Sequence, residues 1–348
     1  MARSPIRPLA RLLAFWFWIG LLCLPAWTVA AGDLRYFRIG TGTSSGAYFT
    51  VGGVIASAVS NPPGSRPCES GGSCGVPGLI AVAQATSGGL ENLELLRAGA
   101  LEAALVQTNL ASWAYRGSGA YRGKPPFADL RAVATLYTET VQILARADGP
   151  VRSIADLRGR RVSIGEKGSA FAIDAAMILG DLGIAEKSFT AVHLRPGVSV
   201  DELVNGRIDA LFIVGGAPFS AVADAAARIP VRLLAISPEE ATALRAREPF
   251  LTSTTIPADV YPGVPETTTV GVGAQLVVRE SLDDDLVAGV TRALWHPGTR
   301  HALEQSFPKG GLTPLPQAAE SASPPLHPGA ARTYRELGVP LSSVDDPR

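Results

Sequence analysis

Residues 36–53 read YFRIGTGTSSGAYFTVGG, an apolar strand running into a turn of Gly, Thr and Ser that opens at once into a helix. Gly40, Gly42 and Gly46 let the backbone pass close to a bound group. Thr43, Ser44 and the first helical N–H groups face whatever occupies the turn, and a helix N-terminus is intrinsically an anion site. A second turn of similar build, residues 165–169, opens another helix at Gly168, Ser169, Ala170 and Phe171. Two such helix starts facing one another would clamp a carboxylate. The small-residue turn Thr86-Ser87-Gly88-Gly89 opens the helix carrying Glu91 and Leu95, which ordinary capping also explains. Gln107 and Asn109 end a strand, where α/β sheets hold ligands, or cap the helix that follows. Tyr48, Tyr137 and Phe171 would wall the cleft or belong to the core.

The same turn admits an enzyme reading. Gly42-Thr43-Ser44-Ser45-Gly46 matches the G-x-S-x-G nucleophile elbow, with strand and helix flanking it as the motif requires. Yet Ser44 follows the first strand after the leader, so no earlier loop builds an oxyanion hole. The downstream histidines are His193, His296, His301 and His327, and neither His296 nor His327 has a neighbouring acid in sequence. A dinucleotide fingerprint fits worse, because the glycines run G-x-G-x-x-x-G, one position too long. No catalytic residue and no cofactor is expected.

The elements that must position these turns alternate strand and helix, the signature of an α/β protein with largely parallel sheets. Strands are expected over 79–83, 101–106, 130–137, 141–147, 161–164, 191–194, 209–214 and 270–278, with helices at 89–98, 199–205 and 282–295. The plan repeats. Gly40 and Gly99 are 59 positions apart and Gly165 and Gly206 are 41 apart; the difference of 18 is the length of the loop 61–78. Two similar lobes follow, with the chain crossing between them at 141–147 and again at 270–278, which makes a hinge. The Pro-, Ser- and Ala-rich stretch 308–329 is expected to be extended on the surface.

At 348 residues the chain suits two lobes, and 31 basic against 31 acidic residues implies no nucleic-acid partner. Arg3, Arg7 and Arg11 precede an apolar run at 14–24, Pro25 and small residues at 29–31, which together read as a cleavable signal peptide over 1–31. An uncleaved anchor is the alternative. Cleavage removes three arginines, leaving 28 basic residues against 31 acidic ones, a net charge of −3. The mature protein would be exported to the periplasm without stable membrane insertion. Cys68 and Cys74 then remain as an even pair inside a Gly/Pro loop, which reads as a disulfide in an oxidising compartment. No His or Cys cluster stands nearby in sequence, so no metal site is expected.

The strings RIGTGTSSGAYFTVGG, TSGGLENLELLRAG, LEAALVQTN, FADLRAVATLY, ADLRGRRVSIGEKGSAF, IDALFIVGGAPFSAV, TTIPADVYPG and PLHPGAARTYRELG resemble the TAXI-type solute-binding proteins of TRAP transporters. The resemblance covers nearly all of the mature chain, in order. It implies a periplasmic-binding-protein type II fold, with lobe 1 over 32–142 plus 271–348 and lobe 2 over 143–270. It also implies a binding protein, not an enzyme, that hands a small carboxylate such as glutamate, glutamine or 2-oxoglutarate to membrane permease subunits. Carried onto this sequence, the contacts would be Thr43, Ser44, Gly46, Tyr48, Ser87, Gly88, Gln107 and Tyr137 from lobe 1. Gly168, Ser169, Ala170, Gly215 and Pro218 would come from lobe 2. Two features depart from the family pattern: the second turn, usually written GSGT, has Ala170-Phe171, and the Cys68/Cys74 insertion marks a subgroup.

Overall fold

The computed structural model describes residues 34–44, 46–306, 312–320 and 323–341; the segment expected to be a signal peptide lies outside the described residues. The described residues begin with β1 (Arg35–Gly40) and α1 (Ala47–Val59). The short strands β2 (Ser60–Asn61) and β3 (Val76–Pro77) bracket the cysteine loop before β4 (Leu79–Gln84). α2 (Gly89–Arg97), β5 (Ala103–Gln107) and α3 (Thr108–Arg116) follow. β1 lies between β4 and β5, all three parallel.

After the long strand β6 (Leu130–Arg146) the plan recurs as β7 (Arg161–Ser163), α4 (Ala170–Asp181), β8 (Thr190–Val192), α5 (Pro196–Val204) and β9 (Ala210–Gly215). Here β7 lies between β8 and β9, again parallel. The glycine landmarks therefore correspond to two βαβαβ units of the same strand order. α6 (Ser220–Arg228), β10 (Val231–Leu233), α7 (Pro238–Arg247) and β11 (Leu251–Ile256) lead to the second long strand, β12 (Thr267–Arg279). α8 (Asp284–Leu294), α9 (Pro297–Ser306), α10 (Leu315–Ala319) and α11 (Pro328–Glu336) complete the described chain.

β6 and β12 run antiparallel to each other and join the two units. β12 starts beside β11 and ends beside β5; β6 starts beside β12 and ends beside β9 and β10. Two strands were expected over 130–147, with a break at Thr138-Glu139-Thr140. The ladder instead continues through them, opposite Gly273, Val272 and Gly271. A Cβ on Gly271 would lie 2.5 Å from Thr138 Cγ2, so glycine there is what lets the strands pass so closely.

Helices cover both faces of each unit, as parallel strands require. Around the first unit, Phe37, Ile39, Val51 and Ile55 pack with α8 and α11, and on the other face Leu93, Leu96, Leu110 and Trp113 pack with Val106. Around the second, Val162, Ala175 and Ile178 form one core, and Leu203, Ile213 and Val222 another. The described residues 312–320 and 323–329 are not simply an extended surface segment. Ala318, Ala319, Leu326 and His327 are buried, and Ala132 of β6 bonds to both Pro325 and His327. Small apolar side chains there cover a sheet face that would otherwise meet water.

Cys68 and Cys74 are disulfide-bonded, with Cα atoms 4.7 Å apart. Sequence proximity misled in one respect. His296, at the end of α8, approaches the bridge with its Nε2 4.0 Å from Cys68 Sγ. The sulfurs are bonded to each other, so this trio offers no thiolate to a metal.

Candidate functional site

The first turn is anchored from below. Asn92, buried on α2, donates to Thr41 O at 2.6 Å and to Leu105 O at 2.8 Å, tying the end of β1 to β5. A Cβ on Gly40 would sit 2.4 Å from Leu101 Cδ1 and 2.7 Å from Asn92 Oδ1, so this strand end tolerates only glycine without a shift. Beyond it Thr43 and Ser44 are exposed. Gly46 N donates to Thr43 O at 2.8 Å, and Gly46 caps α1 without a side-chain bond.

From the first turn of α1, Tyr48 reaches inward to a carboxylate that sequence reasoning did not single out, Glu139 in the middle of β6. Gln107 Nε2 donates to Glu139 Oε2 at 2.9 Å, and the Tyr48 hydroxyl donates to the same oxygen at 3.5 Å. Tyr137 lies against this carboxylate as well. Glu139 is buried, and burial raises its pKa from 4.5 to about 8 despite the stabilising bond from Gln107. Burial likewise holds the Tyr48 and Tyr137 hydroxyls neutral, well above their ordinary range.

A second buried acid comes from the other unit. Asp174, on the second turn of α4, accepts from Asn109 Nδ2 at 2.6 Å, while its Oδ2 is buried without a hydrogen-bond partner. Burial raises its pKa from 3.8 to about 7, with Asn109 and Gln107 opposing the rise. The charge of Asp174 in turn pushes Glu139 upward. Gln107 therefore stands between the two acids, and its Oε1 is also buried and unpartnered. Among the described residues, neither acid is hydrogen-bonded or ion-paired to Arg, Lys or His. Both were detectable: each is a lone charge inside an apolar run, LYTETVQILA and AFAIDAAMIL, where an unpaired acid is costly.

The second turn presents α4 to this cluster. Gly165 has φ +89°, and Ser169 Oγ accepts from Ala172 N at 3.2 Å as the N-cap. Phe171 packs edge-on against Phe219 at 6.2 Å, so its ring joins the core of the second unit. Ala170 is partly buried and packs toward the first unit's core beside Ile173; Gly168 is exposed, with φ +76°.

No hydrogen bond joins the other expected contacts to the acids among the described residues. Ser87 donates to Glu91 Oε2 at 2.5 Å through its hydroxyl and at 2.6 Å through its N–H, so its polar groups serve the start of α2; Gly88 caps that helix with φ +112°. Gly215 O accepts from Thr140 Oγ1 and Gln142 Nε2, and Pro218 is exposed after a cis peptide bond. None of the described histidines is bonded to Ser44: His193 contacts Gly165 O, His296 faces the disulfide, and His327 caps α11. An open cavity of about 970 Å³ lies elsewhere, lined by Thr108, Trp113, Arg116, Phe250 and Gln275 among others, and by none of the thirteen expected ligand contacts.

Two matching βαβαβ units, joined by two long strands and enclosing buried polar groups, define a periplasmic-binding-protein-type fold. More particularly, the chain belongs to the NMT1-like family, whose sequence pattern matches residues 39–338. Similar solved structures include a TctC solute binding protein from Polaromonas, 17% identical over 87% of this chain and 96% of that one, with a TM-score of 0.49. The periplasmic aliphatic sulphonate binding protein SsuA from Escherichia coli is 13% identical over 87% and 84%, TM-score 0.43. The probable amino-acid ABC transporter extracellular-binding protein ytmK from Bacillus subtilis is 13% identical over 79% and 96%, TM-score 0.45. Among the described residues no helix is long and apolar enough to cross a membrane.

Proposed function

We propose that this chain is an exported, TAXI-type solute-binding protein that captures a small carboxylate-bearing solute and presents it to the membrane permease subunits of a TRAP transporter. The observation that carries the reading is the polar cluster of Tyr48, Gln107, Glu139 and Asp174, buried where the two units meet. The units act as lobes, 32–142 plus 271–348 and 143–270, hinged where β6 and β12 pass between them. Residues 1–31 direct export and are removed.

The solute's carboxylate sits against the helix starts at Thr43, Ser44 and Gly46 and at Gly168, Ser169 and Ala170, where N–H groups and hydroxyls favour an anion. Gln107, Tyr48 and Tyr137 complete the contacts, with Ser87, Gly88, Gly215 and Pro218 at the margins. Closure follows from tighter binding to the closed form, and no bond is made or broken. A thermal-shift screen against dicarboxylates, amino acids and oxo acids tests this, because a solute that binds only the native state raises its stability. The absence of a shift with every acid would overturn it. Labelling of Ser44 by a fluorophosphonate would favour a hydrolase instead.

A further inference from the structure

We infer that the Cys68–Cys74 bridge is a reactive disulfide that exchanges with thiols: Cys74 is the sulfur attacked, Cys68 leaves as the thiolate, and His296 is the hydrogen-bond donor that receives it. This chemistry is independent of solute binding. The two sulfurs face opposite kinds of group. Gly298 N donates to His296 Nδ1 at 3.2 Å, so the free lone pair of the neutral ring lies on Nδ1 and the hydrogen on Nε2. That Nε2 lies 4.0 Å from Cys68 Sγ, and such a contact tightens once the sulfur carries charge. Cys74 Sγ instead lies 4.0 Å from the carbonyl oxygen of Gly72, an acceptor that keeps a proton on a thiol.

Capping the start of α9 accounts for the Nδ1 bond but not for the aim of Nε2 at a sulfur. A metal site fits less well, although the Sγ atoms and a ring nitrogen lie within 4.8 Å of one another. A ring nitrogen that bears hydrogen has no lone pair to give. Nor does the loop depend on the bridge for its shape. Gly71 N donates to Cys68 O at 3.0 Å, Gly72 N to Pro67 O at 2.9 Å and Ser73 N to Arg66 O at 3.2 Å. Both cysteines are half-buried in the loop between β2 and β3, where a thiol from solvent can reach the bond.

An incoming thiolate bonds to Cys74 Sγ as the bridge breaks, and the electron pair of the broken bond leaves on Cys68. A second thiolate attacks the first thiol's own sulfur in this mixed disulfide, and Cys74 leaves and takes a proton. The two thiols are oxidised to their disulfide and the bridge is reduced by the same two electrons. Of the two thiol protons, one ends on Cys74 and one in solvent. In the dithiol form Cys68 is the thiolate, and so the more reactive of the pair.

The test reduces the protein, removes the reductant and labels it with substoichiometric iodoacetamide at neutral pH, with the label assigned by tandem mass spectrometry. Cys68 should be labelled roughly threefold or more faster than Cys74. The oxidised protein should exchange with glutathione. His296→Phe, which keeps the bulk of the ring without the donor, should slow that exchange roughly threefold or more and erase the labelling preference. His296→Gln keeps an N–H and should restore both, which a role in capping alone would not do. Equal labelling of the two cysteines in the wild type, or faster labelling of Cys74, would overturn the assignment whatever the variants do. So would a folded His296→Phe protein that reacts as the wild type does, or a bridge inert to glutathione.

Discussion

Asn109 Nδ2 donates to Asp174 Oδ1 over 2.6 Å, and this bond joins the start of α3 in one unit to the second turn of α4 in the other. Both side chains are fully buried, and the amide N–H of Asn109 goes to Asp174 while its Oδ1 accepts from Leu110 N at 2.9 Å. Asn109→Ala should cost about 1–3 kcal/mol, since it leaves a buried acid short of a donor. It should also increase the radius of gyration of the solute-free protein as the units part. Urea unfolding and small-angle scattering check this; wild-type values in both would show that the bond does not hold the units together.

The two buried acids give stability an unusual pH dependence. Their folded pKa values lie above the unfolded ones, at about 8 against 4.5 for Glu139 and about 7 against 3.8 for Asp174. The folded protein therefore binds more protons than the unfolded chain, and stability falls as pH rises through the folded values. His327 works in the opposite sense, because burial lowers its pKa below 6.5, so acid below that point also destabilises. Between pH 6.5 and 8.5 the carboxyls dominate. The solute-free protein should lose more than about 1 kcal/mol over that range, each pH unit of unequal protonation being worth about 1.4 kcal/mol per group. Urea titrations at both pH values test it, and the double variant Glu139→Gln, Asp174→Asn should flatten the slope.

Gly165 supports the second helix start. Its φ is +89°, and a Cβ there would lie 2.7 Å from Phe171 Cβ. Gly165→Ala should therefore destabilise by about 1–3 kcal/mol through backbone strain alone. An unchanged melting temperature would mean that the turn relaxes at no cost.

The serines of the two turns should behave differently. Ser169 is the N-cap of α4, so Ser169→Ala should cost about 1 kcal/mol of stability as well as weakening solute binding. Ser44 is exposed on its turn, so Ser44→Ala should leave unfolding unchanged and lower affinity alone. Calorimetry and denaturant curves on both variants separate the two roles.

The cysteine loop gives a further check. Cys68 and Cys74 are six residues apart, and closing so short a loop is worth about 2 kcal/mol in chain entropy. Replacing both by alanine should lower stability by up to that amount, read by urea unfolding, with solute affinity unchanged.

Much of the architecture was legible from the chain itself. The apolar strands, the glycines that end them and the spacing of Gly40, Gly99, Gly165 and Gly206 follow from local periodicity and turn chemistry, so the two repeated units could be read in order. Phe171 could not be placed that way, because its packing against Phe219 depends on a segment far along the chain. The same holds for Asp174 and Glu139. In the sequence each is one acid among apolar neighbours; only the fold brings them around Gln107 and removes water from both. The order of the elements is local information, whereas the charge state of a buried acid depends on what distant segments leave beside it.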